Sequence, residues 1–193
     1  MHWTGFGVSL AYLNGLSAGV NQGTSTYIHL NLMDYVIPIS KNFLFGAGLG
    51  FDWQKYKFKG NVSLRNDDNG ITQFLFDNGR NYKSSRFRIY HIVMPLIFEY
   101  QTGSRRFRDF FVQAGVEMLI KTSASTKIEV QTDNGIKTER HVGLNASTLN
   151  ARLMLRTGFN NFSFMAFFQP VSIFKNNYGP DVKPYGIGFM LDF

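Results

Sequence analysis

Apolar and polar residues alternate one by one along nearly every ordered-looking stretch of this chain, and the i, i+3, i+4, i+7 spacing of an amphipathic helix is missing. A period of two belongs to a β-strand whose two faces meet different surroundings. No uninterrupted apolar run approaches the roughly 18–20 residues that a membrane helix needs. The chain therefore reads as all-β, and a helical membrane protein is excluded.

Eight alternating segments fall at about residues 3–13, 27–39, 43–58, 84–101, 109–126, 140–159, 162–174 and 183–193. The links between them alternate in length. Residues 14–26, 59–83, 127–139 and 175–182 form long links rich in Gly, Asn, Asp, Ser and Thr, whereas residues 40–42, 102–108 and 160–161 form short ones. Long outer loops and short periplasmic turns are the asymmetry of an outer-membrane barrel. The expectation is an all-β, eight-stranded antiparallel up-and-down transmembrane β-barrel, a single domain over residues 1–193. An even strand count returns both termini to the short-turn side. In an outer membrane the long loops would then be extracellular, and the short turns and both termini periplasmic.

The faces of the segments agree. Tyr185, Ile187, Phe189, Leu191 and Phe193 share one face of the last segment, opposite Gly186, Gly188, Met190 and Asp192. Val112, Ala114, Val116, Met118 and Ile120 oppose Gln113, Gly115, Glu117, Leu119 and Lys121; Leu149, Ala151, Leu153 and Leu155 oppose Asn150, Arg152, Met154 and Arg156. A soluble barrel would turn the apolar face inward, so periodicity alone does not choose inside from outside. Three features choose the membrane. The polar faces are rich in small residues (Gly5, Gly7, Ser9 and Ala11; Gly46, Gly48 and Gly50), which suits a narrow, crowded lumen. Aromatic residues gather near segment ends, where an interface girdle would sit: Trp3, Tyr12, Tyr27, Tyr35, Phe43, Trp53, Tyr100, Phe110, Phe159, Phe162, Tyr185 and Phe193. The terminal run GIGFMLDF, with Gly188, Phe189, Leu191 and Phe193, resembles the signal read by the barrel assembly machinery.

Composition narrows the chemistry. With no Cys, disulfides, thiol catalysis and cysteine metal sites drop out. The net charge of +7 comes from scattered basic residues; the tightest cluster, Arg105, Arg106 and Arg108, suits a solvated turn better than nucleic acid, so no nucleic-acid partner is expected. The opening MHWTGFGVSL carries no leader, and reads as a mature form with an added or retained Met1.

An eight-stranded barrel is just wide enough to be filled by its own side chains. The face assignments aim Glu99, Gln113, Glu117, Lys121, Asn150, Arg152, Arg156, Gln169 and Asp192 into that lumen, where charges must pair to be tolerated. A plugged, salt-bridged interior is expected. Pro38, Pro95 and Pro170 each remove a ladder donor, so bulges are expected at Pro95 and Pro170.

Catalytic and metal candidates are thin. His91 and Glu99 share a face but stand roughly 26 Å apart along the strand, beyond any hydrogen bond. His29 and His141 open their segments near the expected outer rim, with Ser25, Thr26 and Glu139 close in sequence, so an acyl-hydrolase site is conceivable there. No metal or cofactor site is expected; NDDNG, with Asp67 and Asp68, is only a partial calcium-loop resemblance. The longest loop mixes Phe74, Phe76 and Tyr82 with Arg65, Arg80 and Lys83, a pairing suited to a protein partner or to lipopolysaccharide phosphates, or else to folding over the barrel mouth.

The fourth segment, YHIVMPLIFEY, resembles the signature of the outer-membrane β-barrel family named after the PorT proteins of Bacteroidetes, with Met94, Pro95, Leu96 and Tyr100 in the matching places and Val93 where members often carry an acidic residue. FFVQAGVEMLI and PYGIGFMLDF resemble the family's later strands, so the likeness spans essentially the whole chain. It implies an outer-membrane barrel, and some members serve type IX secretion and gliding. The expected role is thus a non-enzymatic barrel acting through loop or wall contacts with a protein partner or glycolipid. A lipid-modifying enzyme or a small channel stands as the alternative.

Overall fold

Alternating runs rich in Phe, Tyr, Ile and Val fold into strands because each places one row of side chains against the interior and the other outside. The computed structural model describes residues 2–102, 110–133 and 135–193. Among these residues the strands in chain order are β1 (Gly5–Asn14), β2 (Asn21–Gln22), β3 (Ser25–Pro38), β4 (Phe43–Lys59), β5 (Val62–Asn66), β6 (Thr72–Phe76), β7 (Asn81–Gln101), β8 (Phe110–Thr132), β9 (Gly135–His141), β10 (Leu149–Phe159), β11 (Phe162–Phe168) and β12 (Lys183–Asp192).

Eight of them close a ring. Each of β1, β3, β4, β7, β8, β10, β11 and β12 pairs antiparallel with its neighbours in that order, and β12 returns to β1 through Gly5↔Asp192 to Asn14↔Lys183. The eight-stranded up-and-down barrel expected from the alternating links is the fold. Closure leaves no open edge in the ring. The shortest link, Asn160–Asn161, turns with Asn160 at φ 51, a left-handed conformation that Asn tolerates. The link holding Arg105, Arg106 and Arg108 lies outside the described residues.

The remaining strands belong to the long links. β5 and β6 form a separate hairpin, β2 adds two residues beside the end of β4, and β9 pairs with the far end of β8 beyond the ring. This corrects the sixth and seventh segments. The run starting at residue 140 is not one strand, since β9 ends at His141 and β10 begins at Leu149; the seventh strand stops at Phe168, and residues 169–174 lie outside the ring's ladders with Ile173 and Phe174 buried. A hairpin above a barrel and the barrel's own wall share a period of two, so alternation does not separate them.

The bulges also lie elsewhere. Register shifts occur between Asn31 and Met33, Tyr82 and Ser84, and Tyr90 and His91, not at Pro95 or Pro170. Pro170 follows the end of β11. At Pro95 the β4–β7 ladder lapses between Ala47↔Leu96 and Gly50↔Val93 and resumes in the same register, while β8 stays paired through Pro95↔Glu117. Omitting ladder bonds on one side accommodates the missing N–H without an extra residue.

The burial pattern shows which face is inside. Along β12, Pro184, Gly186, Gly188, Met190 and Asp192 are buried, while Tyr185, Ile187, Phe189 and Leu191 are exposed; β1 buries Gly5, Gly7, Ser9, Ala11 and Leu13 and exposes Phe6, Val8, Leu10 and Tyr12. Charges inside and a continuous apolar wall outside invert a water-soluble barrel, and exposed apolar area on that scale suits lipid. Most of the expected girdle aromatics lie outside, but Trp3 and Tyr27 are buried in the lumen. Their places in sequence match the inward faces, Trp3 in step with Gly5 and Tyr27 in step with His29.

Strand length varies sharply around the ring. β7 has 21 residues and β8 has 23, against 10 each for β1 and β12. Since about 9–11 residues cross a bilayer, one side of the barrel stands well beyond the other at the long-link end.

Candidate functional site

The lumen is filled in layers, the first of them at the short-link end. Glu99 accepts from the backbone N–H of His2 at 2.9 Å and from the side-chain amides of Gln101 and Gln113 at 2.6 Å each, and His2 Nδ1 lies 3.0 Å from its other oxygen. The His2 ring stacks on Phe111 with centroids 4.0 Å apart, and Trp3 packs over Gly48, where a Cβ would come within 2.6 Å of the indole nitrogen. A buried carboxylate with this many donors is fully satisfied.

Next, Arg156 pairs with Asp192, and Ser163 joins both: its hydroxyl accepts from Arg156 Nη2 at 2.9 Å and donates to Asp192 Oδ2 at 3.1 Å. Above that pair lies the most connected group in the barrel. Arg152 Nε reaches Glu117 at 2.5 Å and its Nη1 reaches Asp52 at 2.6 Å, with the guanidinium 5.1 Å from the Phe167 ring centre. The other Asp52 oxygen lies 2.9 Å from His29 Nδ1, and His29 Nε2 lies 2.9 Å from the Ser9 hydroxyl. A carboxylate only accepts, so Nδ1 carries a proton and a neutral ring leaves Nε2 to accept from Ser9.

Aromatic rings close the polar zone. Tyr27 stacks on Phe167 at 4.9 Å and meets Tyr56 edge-on, hydroxyl to hydroxyl, while Tyr56 stacks in turn on Phe87, with Phe174 tilted beyond it. Beyond them Phe58, Val62, Leu64, Phe74, Leu144 and Ile173, drawn largely from the long links, join one buried apolar cluster. These side chains pack together at the long-link end of the barrel.

All nine lumen residues expected from alternation face inward or toward this end. Glu99, Gln113, Glu117, Asn150, Arg152, Arg156, Gln169 and Asp192 are buried, and Lys121 is half-buried, donating from Nζ to the Ala146 carbonyl at 2.5 Å. They form separate groups: Glu99 with Gln113, Arg152 with Glu117, and Arg156 with Asp192. The sequence reading places Ser9 on the polar face and His29 near the outer rim, and it singles out neither Asp52 nor Ser163. Their positions obey the same alternation, since Asp52 follows Gly46, Gly48 and Gly50 at every second residue of β4. His29 is not at the rim; it sits deep in the lumen, and its neighbours come from β1 and β4 instead of Ser25, Thr26 or Glu139. His91 is buried with neither ring nitrogen bonded among the described residues.

The loop residues divide. Phe74 and Tyr82, expected as exposed contacts, are buried, Phe74 in the apolar cluster and Tyr82 against Ile128 and Val130. Phe76 and Lys83 are exposed. Arg80 clasps Glu139 of β9 at 3.1 and 2.5 Å and approaches Asp77 at 3.6 Å, while Arg65 lies 3.9 Å from Asp77. The Arg80 hydrogen bonds hold the Glu139 carboxyl down at about 2. Asp67 ties its own turn, accepting from the N–H groups of Asn69 and Ile71 at 2.9 Å each, and no group of three or more metal-ligating side chains exists among the described residues.

Known proteins can be set beside this geometry. The chain is similar in structure to Ail, the attachment invasion locus protein of Yersinia pestis, at 11% identity over 100% of both chains with a TM-score of 0.41. It is similar to a triple mutant of the Rhodopseudomonas blastica porin at 10% identity over 98% of both chains with a TM-score of 0.26. No curated protein sequence matches. The family described as outer membrane protein beta-barrel domain matches residues 12–168, most of the ring, and the chain belongs to that family.

Proposed function

We propose that this protein is a sealed, non-enzymatic barrel of the outer membrane, with its long links outside and its short turns and termini in the periplasm, acting through its outer wall and loops. The filled lumen carries this reading. Among the described residues the Arg152–Asp52–Glu117 and Arg156–Asp192 groups, the Tyr27–Phe167 stack and the apolar loop cluster occupy successive levels of the lumen, which supports a barrel closed to solutes. Opening an aqueous path would strand buried charges, each break costing about 3–5 kcal/mol. Purified protein in a planar bilayer should show no discrete conductance steps; regular steps would make it a channel. The PorT likeness adds a specific form of the same role, a wall contact within a secretion complex.

The Ser9–His29–Asp52 alignment favours a second reading, an acyl-transfer enzyme, because hydroxyl, imidazole and carboxylate stand in the order that activates a serine. Against it, all three side chains are buried between the Tyr27–Phe167 stack and the Trp3 end, and Asp52 also serves Arg152. A fluorophosphonate probe should leave Ser9 unmodified in the folded barrel. Labelling that is lost in Ser9→Ala would establish the enzyme.

A further inference from the structure

The outward face of the tall wall carries a sequence of rows set by strand register. Ile28, Trp53 and Tyr90 lie side by side on β3, β4 and β7. One step toward the long links come Thr26, Lys55 and Arg88, and one step further Lys57, Arg86, Lys127 and Arg140. The cations therefore begin where the aromatic belt ends, about 7 Å further along the strands. They continue the lipid-facing surface and do not belong to the loop tips.

Two neighbouring clefts open among them. The lower, about 300 Å³, is lined by Ile28, Trp53, Tyr90, Lys55 and Arg88. The upper, about 410 Å³, is lined by Lys57, Lys59, Lys83 and Arg86 together with Ser84, Ser85 and the acid Glu129. Glu129 is already engaged, by Arg86 at 2.5 Å and Lys127 at 3.0 Å. Lys55, Lys57, Lys59, Lys83 and Arg88 form no ion pair among the described residues. Unneutralised like charges gathered on a wall repel one another and stay solvated unless an anion joins them.

We propose that this wall binds a phosphorylated glycolipid of the outer leaflet, its phosphates in the two cationic clefts and its acyl chains along the apolar wall below Trp53 and Tyr90. Position selects the ligand. A soluble acidic protein would meet cations at the loop tips, whereas these face sideways at the height where headgroups lie beside an aromatic belt. Two adjacent clefts suit a headgroup with two phosphates better than a phospholipid with one, and Arg and Lys supply the charge-assisted hydrogen bonds phosphate oxygens accept. The assignment rests on the orientation proposed above, which puts the long links outside.

The test uses the whole barrel in neutral detergent, titrated with bisphosphorylated lipid A, dephosphorylated lipid A and phosphatidylglycerol, with bound lipid counted by native mass spectrometry. The bisphosphorylated form should bind at least about tenfold more tightly than either other lipid and weaken as salt rises. Combined Lys55→Gln, Lys57→Gln, Lys59→Gln, Lys83→Gln and Arg88→Gln should remove that preference, and Lys41→Gln with Lys175→Gln should not. Keeping the heat-dependent gel shift shows that a variant has folded. Equal binding of the dephosphorylated lipid or phosphatidylglycerol, or an unchanged preference in the five-site variant, overturns the site. Orientation is read separately by labelling an exposed residue in β9, such as Lys137, on intact cells: labelling supports the outward reading even if lipid binding fails, and protection overturns that reading whatever the lipid result.

Discussion

Arg152 shows how one side chain holds a lumen together. Its guanidinium touches Glu117 on the adjoining β8 and Asp52 on β4 across the lumen, and lies over a ring from β11, so it ties strands distant in sequence. Replacing it with Met leaves Asp52 and Glu117 buried without their cation, at a cost of about 3–5 kcal/mol. In Arg152→Met the compact gel band should be lost at a clearly lower temperature than in the parent. Adding Asp52→Asn and Glu117→Gln should recover part of the loss, because the cost lies mainly in the stranded charges. That Arg152 would face the lumen follows from alternation alone. That it meets Asp52 does not, because partners across a lumen depend on the stagger between strands, which a single strand's period does not encode. The same limit hid the His29–Ser9 contact, although the parity of both residues was readable.

At the scale of elements, the seam between β1 and β12 depends on glycine. A Cβ on Gly188 would lie 2.5 Å from the Val8 carbonyl oxygen and 2.6 Å from Ser9 Cα, so the two backbones would have to separate. Gly188→Ala should lower the yield of the heat-modifiable form on refolding into detergent while strand content by circular dichroism changes little; an unchanged yield would show that the seam has slack. The sequence singles out Gly188 only through a resemblance of the terminal run to an assembly signal, whereas its crowded contact with β1 is a physical reason for glycine there. The long links were legible only as long. Nothing in the period of residues 135–141 tells a strand in the ring from one paired above it, and the buried places of Phe74 and Tyr82 depend on contacts with other parts of the fold.

At the scale of the molecule, the unequal strands give the barrel a direction within the plane of the membrane. On the low side, β11, β12 and β1 turn an apolar face outward, among its residues Phe6, Val8, Leu10, Phe164, Ile187 and Phe189, that reaches Asn14 and Lys183 only at the long-link end. On the opposite side β4, β7 and β8 rise past the aromatic belt and carry the cations. A neighbour of ordinary height can lie flush against the low side but meets a charged projection on the other. In a crowded bilayer such a barrel has a front and a back, so its companions are sorted by which flank they approach before any loop is touched.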